Sequence, residues 1–315
     1  MIIENWNRQE KSVIIIEKNG QVESDRVLKD DEEVIIKDKA KKLTAKQRYF
    51  LNQSNNFTKH CDSLGGYIHM IYAKNEILFN DINIDKANIS RIIYLATYMD
   101  YNDRMEGLLC VRGQNNKLEP MNRKTMQSVL KLTDSTFKRF LKDMKDNNLI
   151  FEADNKFYVN PIYFNKGDID KDVKKSVYKS YCRLFIKPIR DLYEGCKSTK
   201  HKVLASIYQL IPYIHLRSNA LCLNPTEITK EPQKMDSKTL CELLGMSTDR
   251  SQMNKFVKDL YSFTVDINGK TYKLFSYIKI ISDNIDFFFV NPYVIYMGND
   301  LDYIRKIAKD YFFKM

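Results

Sequence analysis

Proline and glycine are scarce, at 7 and 10 of 315 residues, so no low-complexity linker interrupts the chain. Six cysteines are present, Cys61, Cys110, Cys182, Cys196, Cys222 and Cys241, yet no two form a C-x-x-C pair. Most sit in apolar stretches such as LLCV and ALCL, which predicts buried free thiols in a reducing compartment. The histidines His60, His69, His201 and His215 supply neither H-x-H nor H-E-x-x-H, and His60 beside Cys61 falls short of a metal's ligand count, so no metal is expected. No G-x-x-x-x-G-K-[ST] occurs, which argues against a P-loop ATPase. Scattered carboxylates such as Asp81, Asp85 and Asp100 fit caps and turns. With no catalytic constellation, the expectation is a protein that is not an enzyme and takes no cofactor. No apolar run approaches the roughly 20 residues of a membrane span, and the start, MIIENWNRQEK, has no apolar segment of signal-peptide length. A cytoplasmic location and no membrane partner follow as expectations.

What is abundant is charge and aromatic bulk. Lys and Arg outnumber Asp and Glu by 51 to 40, a net charge of +11 that favours nucleic acid or an anionic membrane surface over acidic small molecules, or else serves only as a Lys-rich soluble surface. An apolar fraction of 43% and an aromatic fraction of 12% suit a packed globular chain, and the length favours two lobes over one.

Those lobes are written as a repeat. Phe157 to Asp168 reads FYVNPIYFNKGD, and Phe288 to Asp300 reads FFVNPYVIYMGND. Upstream of each phrase the same elements recur in the same order. A helix with Ile89, Ile92, Ile93 and Ala96 on one face matches one with Val203, Leu204, Ile207, Leu210 and Ile211. GLLCV and ALCL follow as short strands. Next come the short helices from Met121 and from Met235, which share Lys124-Thr125 and Lys238-Thr239. After turns whose Thr133-Asp134 or Ser247-Thr248-Asp249 would supply a capping oxygen, a further helix carries Phe137, Phe140, Leu141 and Met144, matched by Met253, Phe256, Val257 and Leu260. A two-strand hairpin then leads to each Asn-Pro phrase, turning at Ala153-Asp154-Asn155 or at Asn268-Gly269, with extra residues expected mostly in the second hairpin. Val159 and Val290 would end the last strand, Pro161 and Pro292 would stop the ladder, and Gly167 or Gly298 would permit the exit turn.

This order predicts an α+β, mostly helical fold of two tandem winged helix-turn-helix domains, with a small N-terminal β-hairpin and a C-terminal helix. Residues 1–42 would hold the hairpin, built from Val13–Ile16, Asn19-Gly20 and Val34–Ile36. Residues 43–168 would form the first domain with lead-in helices near Gly66–Tyr72, and residues 169–200 a basic connecting segment. Residues 201–315 would form the second domain, closed by an amphipathic helix over Leu301–Phe312. The run Tyr181–Ile186 is read as the second lead-in helix.

In such a unit the second helix of the pair enters the major groove. In the first copy Ser135, Thr136, Lys138, Arg139 and Lys142 face away from the core; Arg139 suits a bidentate guanine contact, and Arg123 and Lys124 would lie near the backbone. From Met121 to Leu149 seven basic residues stand against three acidic, the footprint expected where phosphates are met. The second copy is neutral, four against four from Met235 to Leu260, and offers Arg250, Ser251, Gln252, Asn254, Lys255 and Lys258, of which Gln252 and Asn254 suit adenine. That copy reads either as a second half-site reader or as a scaffold or dimerisation lobe. Between the copies, Lys171, Lys174, Lys175, Lys179, Arg183, Lys187, Arg190, Lys197, Lys200 and Lys202 read either as a phosphate track or as a solvated face.

The helix pair VLKLTDSTFKRFLKDM, the hairpin entry NNLIF and the exit FYVNPIYFNKG resemble the winged-helix part of RepL-type replication proteins of small Firmicute plasmids. The tandem arrangement looks more like the two-lobed initiators of theta-replicating plasmids, and segments such as ISRIIYLATYMDYN are similar to phage and plasmid proteins of low-GC Gram-positive bacteria. The resemblance implies a mobile-element DNA-binding protein, either transcriptional regulator or replication initiator; the expected partner is double-stranded DNA, met by a monomer or homodimer. The competing expectation is a protein-interaction module that docks on host polymerase or replisome.

Overall fold

The computed structural model describes residues 2–7, 12–16, 22–27, 44–71, 84–101, 107–113, 115–166, 181–227, 229–233, 235–280, 285–298 and 300–312. The chain forms two compact units, Met1–Arg48 and Tyr49–Met315. Among the described residues no helix is long and apolar enough to cross a membrane. All six cysteines are free, and all but the half-buried Cys196 are buried.

The first unit carries β1 (Ile2–Asn7), β2 (Ser12–Ile16) and β3 (Val22–Val27) as one antiparallel sheet in the order β1-β2-β3. Residues 12–16 therefore pair with residues on both sides of them, and the run at 34–36, expected as their partner, lies outside the described residues. Helix α1 (Ala45–Ser63) starts on a reciprocal capping box, in which Thr44 N donates to Gln47 Oε1 (2.9 Å) and Gln47 N to Thr44 Oγ1 (3.2 Å).

The second unit is organised around a four-stranded antiparallel sheet. Its two central strands are β4 (Tyr67–Ile71) and, much later, β10 (Tyr181–Phe185), with Cys182 opposite Met70 and Leu184 opposite Ile68. Both runs were expected to be helical. Ile68 and Met70, and Cys182 and Leu184, are buried, while Tyr67 and the residues Tyr181 and Arg183 are only half-buried, a two-residue period in β10 that suits a strand. The outer strands are β9 (Phe164–Asn165) and β15 (Ile295–Tyr296), giving the order β15-β10-β4-β9. Each follows one of the two Asn-Pro phrases, so both copies of the phrase deliver a strand to the same sheet. Asn160 Nδ2 donates to Asn148 O (2.8 Å) while its Oδ1 accepts from Ile162 N (3.0 Å). Asn291 does the same with Lys273 O (2.9 Å) and Tyr293 N (3.0 Å). The asparagine thus tethers the chain back to the preceding hairpin and closes the turn that the proline starts. Gly167 lies outside the described residues, and Gly298 does not take a positive φ; its lack of a side chain makes room for the Tyr296 hydroxyl, 2.5 Å from where a Cβ would stand.

The expected helices appear as α2 (Lys86–Ala96), α3 (Arg123–Leu130), α4 (Asp134–Asp146), α6 (His201–Gln209), α7 (Ser237–Leu243), α8 (Arg250–Ser262) and α9 (Leu301–Tyr311); α5 (Ile186–Gly195) follows β10. The remaining strands are β5 (Cys110–Arg112), β6 (Leu118–Pro120), β7 (Ile150–Ala153), β8 (Lys156–Val159), β11 (Thr264–Ile267), β12 (Lys270–Lys273), β13 (Phe275–Ile280) and β14 (Ile285–Val290). They form four separate two-stranded ladders. The hairpin β7–β8 turns on Asp154-Asn155 and β11–β12 on Asn268-Gly269, all four at positive φ, as two-residue hairpin turns require. The extra residues of the second copy are a whole further hairpin, β13–β14, and it is β14 that leads into the second Asn-Pro phrase. ALCL makes only single bridges, Ile214 to Leu221 and Ala220 to Phe289.

Two tandem winged-helix domains are not what the chain builds. It is an α+β protein with several small antiparallel sheets. A winged-helix domain closes its own sheet, whereas β5–β6 and β7–β8 stay separate ladders joined by the single bridge Leu108 to Tyr158. The one larger sheet takes strands from both halves. Helix α2 packs on α6, and one continuous core runs through both halves. Tyr94 stacks on Tyr193 (4.0 Å, 12°), and Tyr193 stacks on His201 (4.3 Å, 23°); Ser90 Oγ donates to His201 O (2.7 Å). Burial of this joint removes the independence that a tandem array would need.

Candidate nucleic-acid interface

Helix α4 buries Phe137, Phe140, Leu141 and Met144, as its apolar spacing predicts, and this fixes which residues face outward. Helices α3 and α7 are capped alike. Asn122 Oδ1 accepts from Thr125 N (2.9 Å), and Asp236 Oδ1 accepts from Thr239 N (2.8 Å), bonds that hold the Asp236 carboxyl below its ordinary range. The oxygens expected to cap α4 and α8 do not do so. Thr133 donates to Thr136 Oγ1 (3.0 Å), and Ser247 Oγ accepts from Asp249 N (3.2 Å) within the turn. Asp236→Ala is accordingly expected to cost about 1 kcal/mol in denaturant unfolding, whereas Thr133→Ala should leave the midpoint nearly unmoved.

Ser135, Lys138, Arg139 and Lys142 are exposed, and Thr136 is half-buried. Lys138 pairs with Asp134 (2.7 Å) and Lys142 with Asp146, each one turn away on α4. Such exposed pairs contribute only about 0–1 kcal/mol. Arg139 has no ion pair among the described residues. Arg123 and Lys124 are exposed in the first turn of α3, where the Arg123 guanidinium lies 5.7 Å from the centre of the Phe137 ring.

Two clefts organise these side chains. The first, of about 480 Å³, is lined on α4 by Thr136, Arg139, Phe140 and Asp143, and opposite them by Asp85, Asn88, Arg91, Ser198, Thr199 and Lys202. The second, of about 280 Å³, is lined on α8 by Gln252, Lys255, Phe256 and Asp259, and by Lys86, Lys202, Ser206 and Met246. The α4 and α8 stripes share the same spacing and pair position by position in the repeat: Thr136 with Gln252, Arg139 with Lys255, Phe140 with Phe256, Asp143 with Asp259. In both, the aspartate is tied to the wall opposite. Asn88 Nδ2 donates to Asp143 Oδ2 (2.7 Å), and Lys200 pairs with Asp259. Arg250, Ser251 and Asn254 are exposed on α8 and do not line the second cleft.

Sequence reading missed Arg91 and Lys86. Both sit on α2, whose nearly continuous burial makes its few charged positions stand out, and that contrast is the signal. Burial lowers the Lys86 ammonium, which donates to Leu244 O (3.3 Å), and also lowers His201, whose neutral ring adds no charge beside the clefts. Two arginines of the basic stretch between the copies are held against backbone carbonyls of the fold. Arg183 donates to Gly298 O (2.5 Å) between the Phe57, Tyr67 and Tyr181 rings, and Arg190 donates to Thr97 Oγ1 and O (both 2.9 Å). Both arginines are spent on the fold; Lys171, Lys174, Lys175 and Lys179 lie outside the described residues.

Comparison with protein-family models, curated proteins and solved structures finds no match to this chain.

Proposed function

We propose that the chain is a sequence-specific double-stranded DNA-binding protein of a phage or plasmid, acting in the cytoplasm of a bacterial host as transcriptional regulator or replication initiator. The observation that supports this reading is the repeated polar stripe. Thr136-Arg139 on α4 and Gln252-Lys255 on α8 open on adjoining clefts, in a chain of net charge +11. Phosphate contacts by the exposed lysines position the protein, and Arg139 and Gln252 supply base-reading geometry for guanine and adenine.

The test is selection of bound fragments from the source element, followed by affinity measurement on the selected duplex. Arg139→Ala with Lys142→Ala is expected to weaken binding roughly 10- to 100-fold and to flatten its salt dependence. Wild-type affinity in that double variant would sink the assignment of α4. Iterated sites near an origin identify an initiator, and a promoter operator identifies a regulator. A second reading, a module that docks on host polymerase or replisome, is favoured by Tyr49, Phe50 and Leu51, all exposed on α1. A stoichiometric host protein co-purifying without DNA would support it.

A further inference from the structure

We infer that a duplex phosphate backbone crosses from the first cleft into the second over Lys202, with one phosphodiester held among Arg91, Thr136, Ser198 and Thr199. This rests on the DNA-binding reading above and adds to it the path of the backbone. Lys202 lines both clefts, so the two form a run of cationic sites. In the first, Arg91, Arg139 and Lys202 face Asp85 and Asp143, and both acids are already engaged. Asp85 accepts from Ala87 N (2.8 Å) and pairs with Lys202 (3.3 Å); Asp143 accepts from the side-chain amides of Asn88 (2.7 Å) and Asn147 (3.3 Å).

Arg91 lines this wall with its charge. One terminal nitrogen donates to Asn88 Oδ1, and the guanidinium also bonds to the Tyr193 side chain, which fixes it in place. A fixed guanidinium beside the cleft favours an anion there. The hydroxyls of Thr136, Ser198 and Thr199 add neutral donors around the same space. In the second cleft Lys86 and Lys255 repeat the pattern, with Asp259 neutralised by Lys200. A small anion has use for one such cleft; a polymer with a charge on every residue has use for both.

Two substitutions of opposite sign test this on the full chain. Lys202→Ala removes an exposed cation, and Asp85→Asn removes the acid that holds it while keeping an oxygen to cap α2. Binding would be followed by fluorescence anisotropy on a labelled mixed-sequence duplex, on its separate single strand and, by competition, with inorganic phosphate. One phosphate contact scales as salt to the power of about −0.9, so Lys202→Ala is expected to weaken duplex binding roughly eightfold at ~0.1 M salt and to lower the salt slope by about one. Asp85→Asn is expected to tighten it.

Loss of affinity in both variants, or no change in either, overturns the proposal, because a structural role would move both downward and an idle site would move neither. Equal affinity for the single strand overturns the duplex assignment, as does saturable phosphate binding without duplex binding. If Arg139→Ala with Lys142→Ala loses the duplex while the Lys202 and Asp85 variants do not respond, the DNA-binding reading stands and this path falls. If the wild-type chain binds no duplex, both fall.

Discussion

Asn219→Ala is expected to destabilise the Tyr49–Met315 unit by about 3–5 kcal/mol, a large fraction of the stability of an ordinary domain. Asn219 is fully buried, and its Nδ2 donates to Val290 O (3.0 Å) and Ile295 O (2.7 Å). Those two carbonyls flank the second Asn-Pro phrase, so one side chain ties the end of β14 to the start of β15. Alanine leaves both acceptors buried and unpaired, at about 1–3 kcal/mol each. It also forces a Cβ residue without a polar tip to hold φ at 56°, a conformation asparagine tolerates and alanine resists by about 1 kcal/mol. One offset is present: Asn219 Oδ1 has no partner among the described residues, and its removal recovers part of the loss. Asn219→Gly restores the backbone freedom alone, so its cost should lie about 1 kcal/mol below that of alanine. Urea midpoints for the two variants check the order; equal midpoints would show that the backbone carries none of the effect.

Lys166→Met is expected to stabilise the same unit at pH 7 by about 1–2 kcal/mol and to abolish a rise in stability at alkaline pH. Burial, then the nearby Arg190 guanidinium, push the Lys166 ammonium from 10.5 down to about 8, although the Tyr101 ring lies 4.5 Å away on the side that favours the cation. Below pH 8 the folded chain carries this cation at a cost on the order of 3 kcal/mol. Between about pH 8 and 10.5 the folded chain releases the proton while the unfolded chain keeps it, so unfolding takes up protons and stability increases with pH. Methionine cannot titrate and forgoes the hydrogen bond that Lys166 donates to Met99 O, which removes about 1 kcal/mol of the gain. Urea unfolding from pH 7 to 10 measures the difference between the two proteins. It should shrink as pH rises, and parallel curves would rule out a depressed Lys166.

Much of the second unit was legible because it is local. The stripe Phe137, Phe140, Leu141, Met144 needs only the helical period to declare its buried face, and that face fixes Ser135, Lys138, Arg139 and Lys142 as outward. The hairpin turns Asp154-Asn155 and Asn268-Gly269 were readable because few residue types accept positive φ. The runs at Tyr67–Ile71 and Tyr181–Phe185 were misread as helices, since a short apolar segment has no period long enough to separate strand from helix. The roles of Arg183 and Arg190 were equally hidden, because an arginine looks the same in sequence whether it faces solvent or a backbone carbonyl.

The sequence by itself determined seven of the helices, their outward faces, the two tight turns and the duplication that the Asn-Pro phrase marks, all of which follow from interactions within a few residues. Only the tertiary structure decided that the two copies share one sheet and one core. It also decided that Lys202 stands between the α4 and α8 stripes. Those outcomes depend on pairing strands more than 100 residues apart, and such pairing is settled by which surfaces bury each other rather than by any local preference.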